Sequence, residues 1–234
     1  MIAQKTARIF KSQRRNRQQV EGYQCLTTLI NDDFNGKKQN PFEIFTSLND
    51  ETLAPNNSKF YYMEEGGHII LMPLVGMVEV EVSVDGKRKI LIPEELQVLN
   101  MEKGQSLHIS NPYDKEYVNY LQIHLTKNQF QGKKTFEGYG ANSLHRLLKT
   151  GTSILNFGVF EGRNESQYKL ENPNNGIFAF VINGVFEIED RLLESRDGLA
   201  LWDTDTVEME ALSENAIILL METPLLDDLE TKNL

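Results

Sequence analysis

The chain is poor in the residues that make covalent staples and metal cages. Its 234 residues include one cysteine, Cys25, so no internal disulfide can form. That suits a reducing compartment, and a cytoplasmic location is the expectation. There are only four histidines, His68, His108, His124 and His145, which leaves little material for an imidazole-rich metal site. No apolar run approaches the roughly 18–20 residues needed to span a bilayer as a helix. The longest, around residues 69–80 and 216–221, are short and broken by charge or proline. No apolar stretch follows the first basic residues, so neither a secretory leader nor a membrane partner is expected. Phosphate-binding Gly-rich loops, nucleophile elbows and zinc-finger spacings are also missing.

What is present describes a globular protein. Apolar residues make up 40% and charged residues 25%, enough to build a core and against disorder. The length accommodates one large domain or two ordinary ones. The net charge of −10 is uneven. Residues 1–20 carry Lys5, Arg8, Lys11, Arg14, Arg15 and Arg17 and no acid, so they hold +6 and the remainder −16. Such an arm could touch nucleic acid or an acidic partner, or serve a homo-oligomer by reaching a second copy. The favoured reading is that it packs on the chain's own acidic body. An acidic body steers poorly onto DNA, so nucleic-acid binding is not expected.

The hydrophobic pattern is that of β-structure. Residues 1–20 suggest a short helix with a weak apolar face of Ile9, Phe10 and Val20, and residues 24–29 suit a strand. Residues 35–58, rich in Asn, Lys, Gly and Pro, read as a long loop tacked down by Phe42, Ile44 and Phe45. From there strands are expected at 68–75, 77–84, 87–92, 97–101 and 117–125. The 77–84 strand alternates Val with Glu79 and Glu81, one face buried and one wet. Asp85-Gly86 then supplies a hairpin turn. The apolar strand, glycine and alternating strand around Gly76 recur around Gly184. Each copy is followed by a further strand, at 97–101 and 199–202, and by a late one, at 117–125 and 216–222. A duplicated β unit accounts for the length, and short strands at such spacing indicate barrels or sandwiches. The expectation is an all-β chain of two jelly-roll barrels, at 1–128 and 152–234. A linker at 129–151 carries a helical turn or two over 142–148, and residues 225–234 form an acidic tail or surface helix.

Several short matches sharpen this: Leu53-Ala54-Pro55-Asn56, Ile69-Ile70 with Gly76, Met101-Glu102-Lys103-Gly104, Tyr120-Leu121-Gln122-Ile123, and Asp197-Gly198-Leu199-Ala200-Leu201-Trp202. In these the chain resembles the pirin family over roughly residues 20–225. Pirins are bicupins, and they include quercetinase-type dioxygenases. The resemblance implies two cupin barrels and, in the first, one metal ion held by a His-x-His pair and a later His-x-Glu pair. Alternate residues of a strand share a face, so two such imidazoles converge on one ion. The corresponding positions here are Tyr62, Glu64, Ile109 and Asn111, and all four depart from the pattern. The resemblance therefore implies a member that has lost its metal and binds a small molecule or a protein partner in a regulatory role. The candidate pocket at the barrel mouth is Tyr62, Glu64, His108 and Asn111.

The alternative is a quercetin 2,3-dioxygenase-type enzyme with a rearranged site. It would hold one divalent transition metal (Fe, Mn, Ni, Cu or Zn) on Glu64 and His108, with a strand slip or bulge turning His108 inward. Of the other candidates, His124 and His145 read as structural, Cys25 as a core filler, and Trp202 as the plug of the second barrel.

Overall fold

The computed structural model describes residues 5–29, 33–34, 37–38, 41–84, 86–126, 132–136, 138–150 and 152–226. In chain order the first strands are β1 (Thr6–Phe10), β2 (Asn16–Val20), β3 (Tyr23–Leu29), β4 (Asp33–Phe34), β5 (Lys37–Lys38), β6 (Phe45–Leu53), β7 (Ser58–Tyr62) and β8 (Gly67–Val75). Next come β9 (Val78–Val82), β10 (Arg88–Leu91), β11 (Glu95–Met101), β12 (Ser106–Ser110), β13 (Val118–Leu125), β14 (Gly132–Thr135), β15 (Ser143–Lys149) and β16 (Ile154–Phe160). The series closes with β17 (Glu165–Lys169), β18 (Asn175–Asn183), β19 (Phe186–Ile188), β20 (Arg191–Leu193), β21 (Gly198–Trp202), β22 (Thr206–Ala211) and β23 (Ala216–Pro224). One 3-10 turn, Ser12–Arg14, interrupts the strands. No helix among the described residues is long and apolar enough to cross a membrane.

The expected all-β architecture of two cupin-type jelly-roll barrels is what the chain forms. In the N-terminal barrel, the sheet β14-β11-β8-β13-β6-β3-β2 packs on the sheet β10-β9-β12-β7. In the C-terminal barrel, β1-β21-β18-β23-β16-β15 packs on β17-β22-β19-β20. Alternation sets which side chains fill each space. Val78 and Val80 enter the first core while Glu79 and Glu81 face out, where Arg88 on β10 meets Glu81 at 3.0 Å. The repeat has a backbone cause. Gly76 and Gly184 both hold positive φ, +70° and +80°. A Cβ on Gly76 would lie 2.9 Å from Val118, and one on Gly184 2.9 Å from Ala216, the first residues of the two late strands. Only glycine fits where each apolar strand turns so close to its neighbour.

Several elements differ from the sequence reading. The basic arm is not helical. It supplies β1, which pairs with β21 from Thr6↔Trp202 to Phe10↔Gly198. Lys5 meets Glu189 at 2.8 Å and Lys11 meets Asp197 at 2.6 Å, so two of the arm's six cations pair with the chain's own acids. The supposed loop at 35–58 contains β6, a nine-residue strand inside the seven-stranded sheet. The helical turns at 142–148 are β15, bulged between Arg146 and Leu148.

The boundaries 1–128, 129–151 and 152–234 differ from the compact units observed. One unit is Asn16–Leu29 with Ile44–Glu137; the other is Met1–Arg15, Ile30–Glu43 and Gly138–Leu234. Backbone pairing explains this, since β1 joins β21, and the linker contributes β14 to β11 and β15 to β16. Trp202 is buried, but it lies on the face of β21 opposite Leu199 and Leu201, which belong to the barrel core. Asp85 of the hairpin turn, residues 129–131 of the expected linker and residues 227–234 of the tail lie outside the described residues.

Candidate ligand site in the N-terminal barrel

Strand register builds a polar cluster inside the first barrel. Glu51 on β6 pairs with Cys25 on β3 and with Tyr120 on β13, so the three side chains share the inner face. Two residues along, Asn49 pairs with Thr27 and Gln122 in the same way. From the opposite sheet, β7 alternates, sending Phe60 and Tyr62 outward and Tyr61 inward.

Glu51 is fully buried. It accepts hydrogen bonds from the hydroxyls of Tyr61 and Tyr120 (the latter at 3.0 Å), and from Gln122 Nε2 at 3.1 Å, with the Cys25 thiol at 3.9 Å. Burial pushes its carboxyl above the ordinary range, against the downward pull of the tyrosine hydrogen bonds. Burial and the neighbouring Glu51 also hold Cys25 up, so it remains a thiol and not a nucleophile. Tyr120 is raised well above its ordinary value by burial and by Glu51, and stays a hydrogen-bond donor.

The row beyond Glu51 is less complete. Asn49 Nδ2 lies 3.5 Å from His124 Nε2. Burial lowers the His124 pKa to about 4, so the ring is neutral at physiological pH and can accept that bond. Both amides thus direct their NH2 groups at neighbours, while Asn49 Oδ1 and Gln122 Oε1 are buried without a partner. Two orphaned acceptors side by side call for a donor, because an unmade buried hydrogen bond costs about 1–3 kcal/mol.

The residues singled out from sequence do not meet at one place. Tyr62 is 68% exposed on the outer face of β7, and Glu64 is exposed in the bend after it. His108 stays on the outer face, because β12 pairs with β7 and β9 without a slip or bulge. There its ring stacks on Phe60 at 4.0 Å. Asn111 is buried but fully spent. Its Nδ2 donates to the carbonyls of Leu53, Ala54 and Glu116, and its Oδ1 accepts from Tyr113 N–H. It staples two chain segments. Ile109, at the remaining ligand position, sits in the apolar core. His68 bonds Asn100 at 2.6 Å and His145 bonds Ser143 and Gly140, local roles in keeping with a structural reading.

A transition metal therefore does not fit the family's positions. Two of the four side chains point to solvent, one is aliphatic, and one has its amide committed to backbone. Among the described residues no group of three or more His, Cys, Asp and Glu could hold an ion. Glu51, Tyr61 and Gln122 escaped the sequence reading. The available signal was the polar alternation Tyr120, Gln122, His124, which is obscured because Leu121 and Ile123 between them are just as buried.

Residues 153–223 match the family model of the quercetinase C-terminal cupin domain. No curated protein shows significant sequence similarity to the chain. Among solved structures, YhhW of Escherichia coli superposes with a TM-score of 0.77 at 16% identity, over 95% of this chain and 100% of that one. The same bacterial pirin in complex with nickel(II) gives 0.77 at 17%, over 94% and 100%. Quercetin 2,3-dioxygenase of Acinetobacter baumannii gives 0.70 at 13%, over 94% and 86%. At these identities the likeness establishes the fold.

Proposed function

We propose that this chain, whose second barrel matches the quercetinase cupin model and whose fold is that of the bacterial pirins, is a pirin-type bicupin that works without a metal, as a binding protein with a regulatory role. The carrying observation is the fate of the four ligand positions: Tyr62 and Glu64 outside, Ile109 in the core, Asn111 bound to backbone. The ligand is a small hydroxylated molecule taken into the N-terminal barrel. Its hydroxyls donate to Asn49 Oδ1 and Gln122 Oε1, supplying the bonds these atoms lack. Each neutral bond gained contributes about 0.5–1.5 kcal/mol, so recognition rests on a few such bonds plus apolar contact.

Elemental analysis of protein expressed with iron, manganese, nickel, copper and zinc available tests the metal-free half. Near-stoichiometric metal that disappears in Glu64→Ala or His108→Ala would restore the dioxygenase reading, as would quercetin turnover. For the ligand half, quercetin as a hydroxylated probe should raise the melting temperature of the wild type and not of Gln122→Met. Equal shifts in both proteins would remove the assigned site.

A protein partner is the second reading. It is favoured by Phe60 and Tyr62, 65% and 68% exposed on one outer face, since paired exposed aromatics are typical of interfaces. A concentration-dependent sedimentation coefficient abolished by Phe60→Ser with Tyr62→Ser would make that partner a second copy of the chain.

A further inference from the structure

The C-terminal barrel has an open seam. β15 ends the six-stranded sheet and β17 ends the four-stranded one. Between them lies a groove of about 350 Å³ bordered by residues of β15–β17 and the turn before them. That is near the lower end of the roughly 300–1,000 Å³ seen for ligand pockets, so it suits a small molecule.

We propose that this groove binds a small, neutral, polyhydroxylated ligand of the sugar or polyol class. The lining carries both donors and acceptors: the amides of Asn142, Asn156 and Gln167, and the hydroxyls of Ser143, Ser166 and Tyr168. Such a mixture matches ligand hydroxyls, which both give and accept hydrogen bonds. Asn156, only 4% exposed, lies in the wall. Its Nδ2 reaches Leu220 O at 3.4 Å, a long bond, and its side chain also hydrogen-bonds Tyr168 in the same wall.

Tyr168 is held rigidly. Its hydroxyl donates at 2.7 Å to Glu222, a fully buried carboxylate that also accepts from Glu171 N–H, Asn172 N–H and Asn175 Nδ2. The ring is thus fixed as an apolar face against which the C–H side of a sugar ring can lie. Arg146 is the one cation in the lining, and Glu171 already pairs with both it and Lys149. An anion would have to compete with that carboxylate, whereas a neutral ligand does not.

Titration of ¹⁵N-labelled full-length protein tests this, with D-glucose and myo-inositol as neutral probes and phosphate and citrate as anionic ones. The neutral probes should shift the side-chain amides of Asn156 and Gln167 and backbone amides near Ser143 and Ser166, with millimolar affinity as expected for so few heavy atoms. Gln167→Ala and Ser166→Ala remove edge-strand side chains without emptying the core. Each should weaken binding about three- to tenfold, the worth of one neutral hydrogen bond. No shift from either neutral probe, shifts from the anions alone, or unchanged affinity in both variants would each overturn the proposal. The quercetin experiment reads other residues in the other barrel, so either idea can fail alone.

Discussion

Replacing Glu51 with glutamine asks whether the N-terminal barrel carries its buried carboxyl at a cost. Burial raises this group above its ordinary value of 4.5, and the hydrogen bonds from Tyr61 and Tyr120 only partly offset that. Between the unfolded and folded pKa values, the native state binds more protons than the unfolded chain. Stability contributed by the neutral acid is therefore fully present below about pH 4.5 and is lost as pH rises through the folded pKa. One group gives a slope of at most about 1.4 kcal/mol per pH unit. The glutamine does not titrate. Its amide can be received if Gln122 turns over, which would give the orphaned Gln122 Oε1 a donor. The stability of Glu51→Gln minus that of the wild type should then grow with pH above about 4.5 and level off once Glu51 is ionised.

Urea unfolding at several pH values up to about 8 measures this. Tyrosine near-UV ellipticity reports chiefly on the first barrel, where Tyr23, Tyr61 and Tyr120 cluster, and fluorescence of Trp202 reports on the second. A difference that stays flat, or shrinks as pH rises, would refute the reasoning. The Trp202 transition should not distinguish the two proteins.

Removing residues 1–12 takes away β1 and strips Asp197 of Lys11 and of Ser12 N–H. The Trp202 fluorescence midpoint should fall by the equivalent of about 2 kcal/mol or more while the tyrosine signal holds. Asn111→Leu leaves three carbonyls and the Tyr113 N–H without their partner. It should cost about 3 kcal/mol or more in the tyrosine-monitored transition. Gly184→Ala forces a side chain into φ +80° and against Ala216, and should destabilise the second barrel by about 1–3 kcal/mol, measured by Trp202 fluorescence.

The repeat around Gly76 and Gly184 was legible in the sequence because the physics there is local. A strand with one wet face must alternate, and a turn at positive φ whose Cβ would strike the neighbouring strand must be glycine. The same locality hid the candidate site. Asn49, Asp50 and Glu51 read as loop because turn-forming residues cluster there, yet they are the middle of β6. Polar side chains inside a barrel invert the rule that polar means wet, and nothing in the segment itself reveals the inversion. His108 and Tyr62 face outward for a related reason: alternate residues of a strand point to opposite sides, and the pairing of the strands sets which side is inside.

The sequence by itself determined an all-β chain of two duplicated barrels, since composition, period and turn chemistry are properties of neighbouring residues. Only the tertiary structure decided that the basic arm gives one strand to each barrel. It also decided that Glu51 meets Tyr61 across the first barrel and that Asn49 and Gln122 are left with free acceptors. Those outcomes depend on partners up to about two hundred residues apart, such as Lys11 and Asp197. Such pairings are selected by the closure of the sheets, which no local pattern encodes.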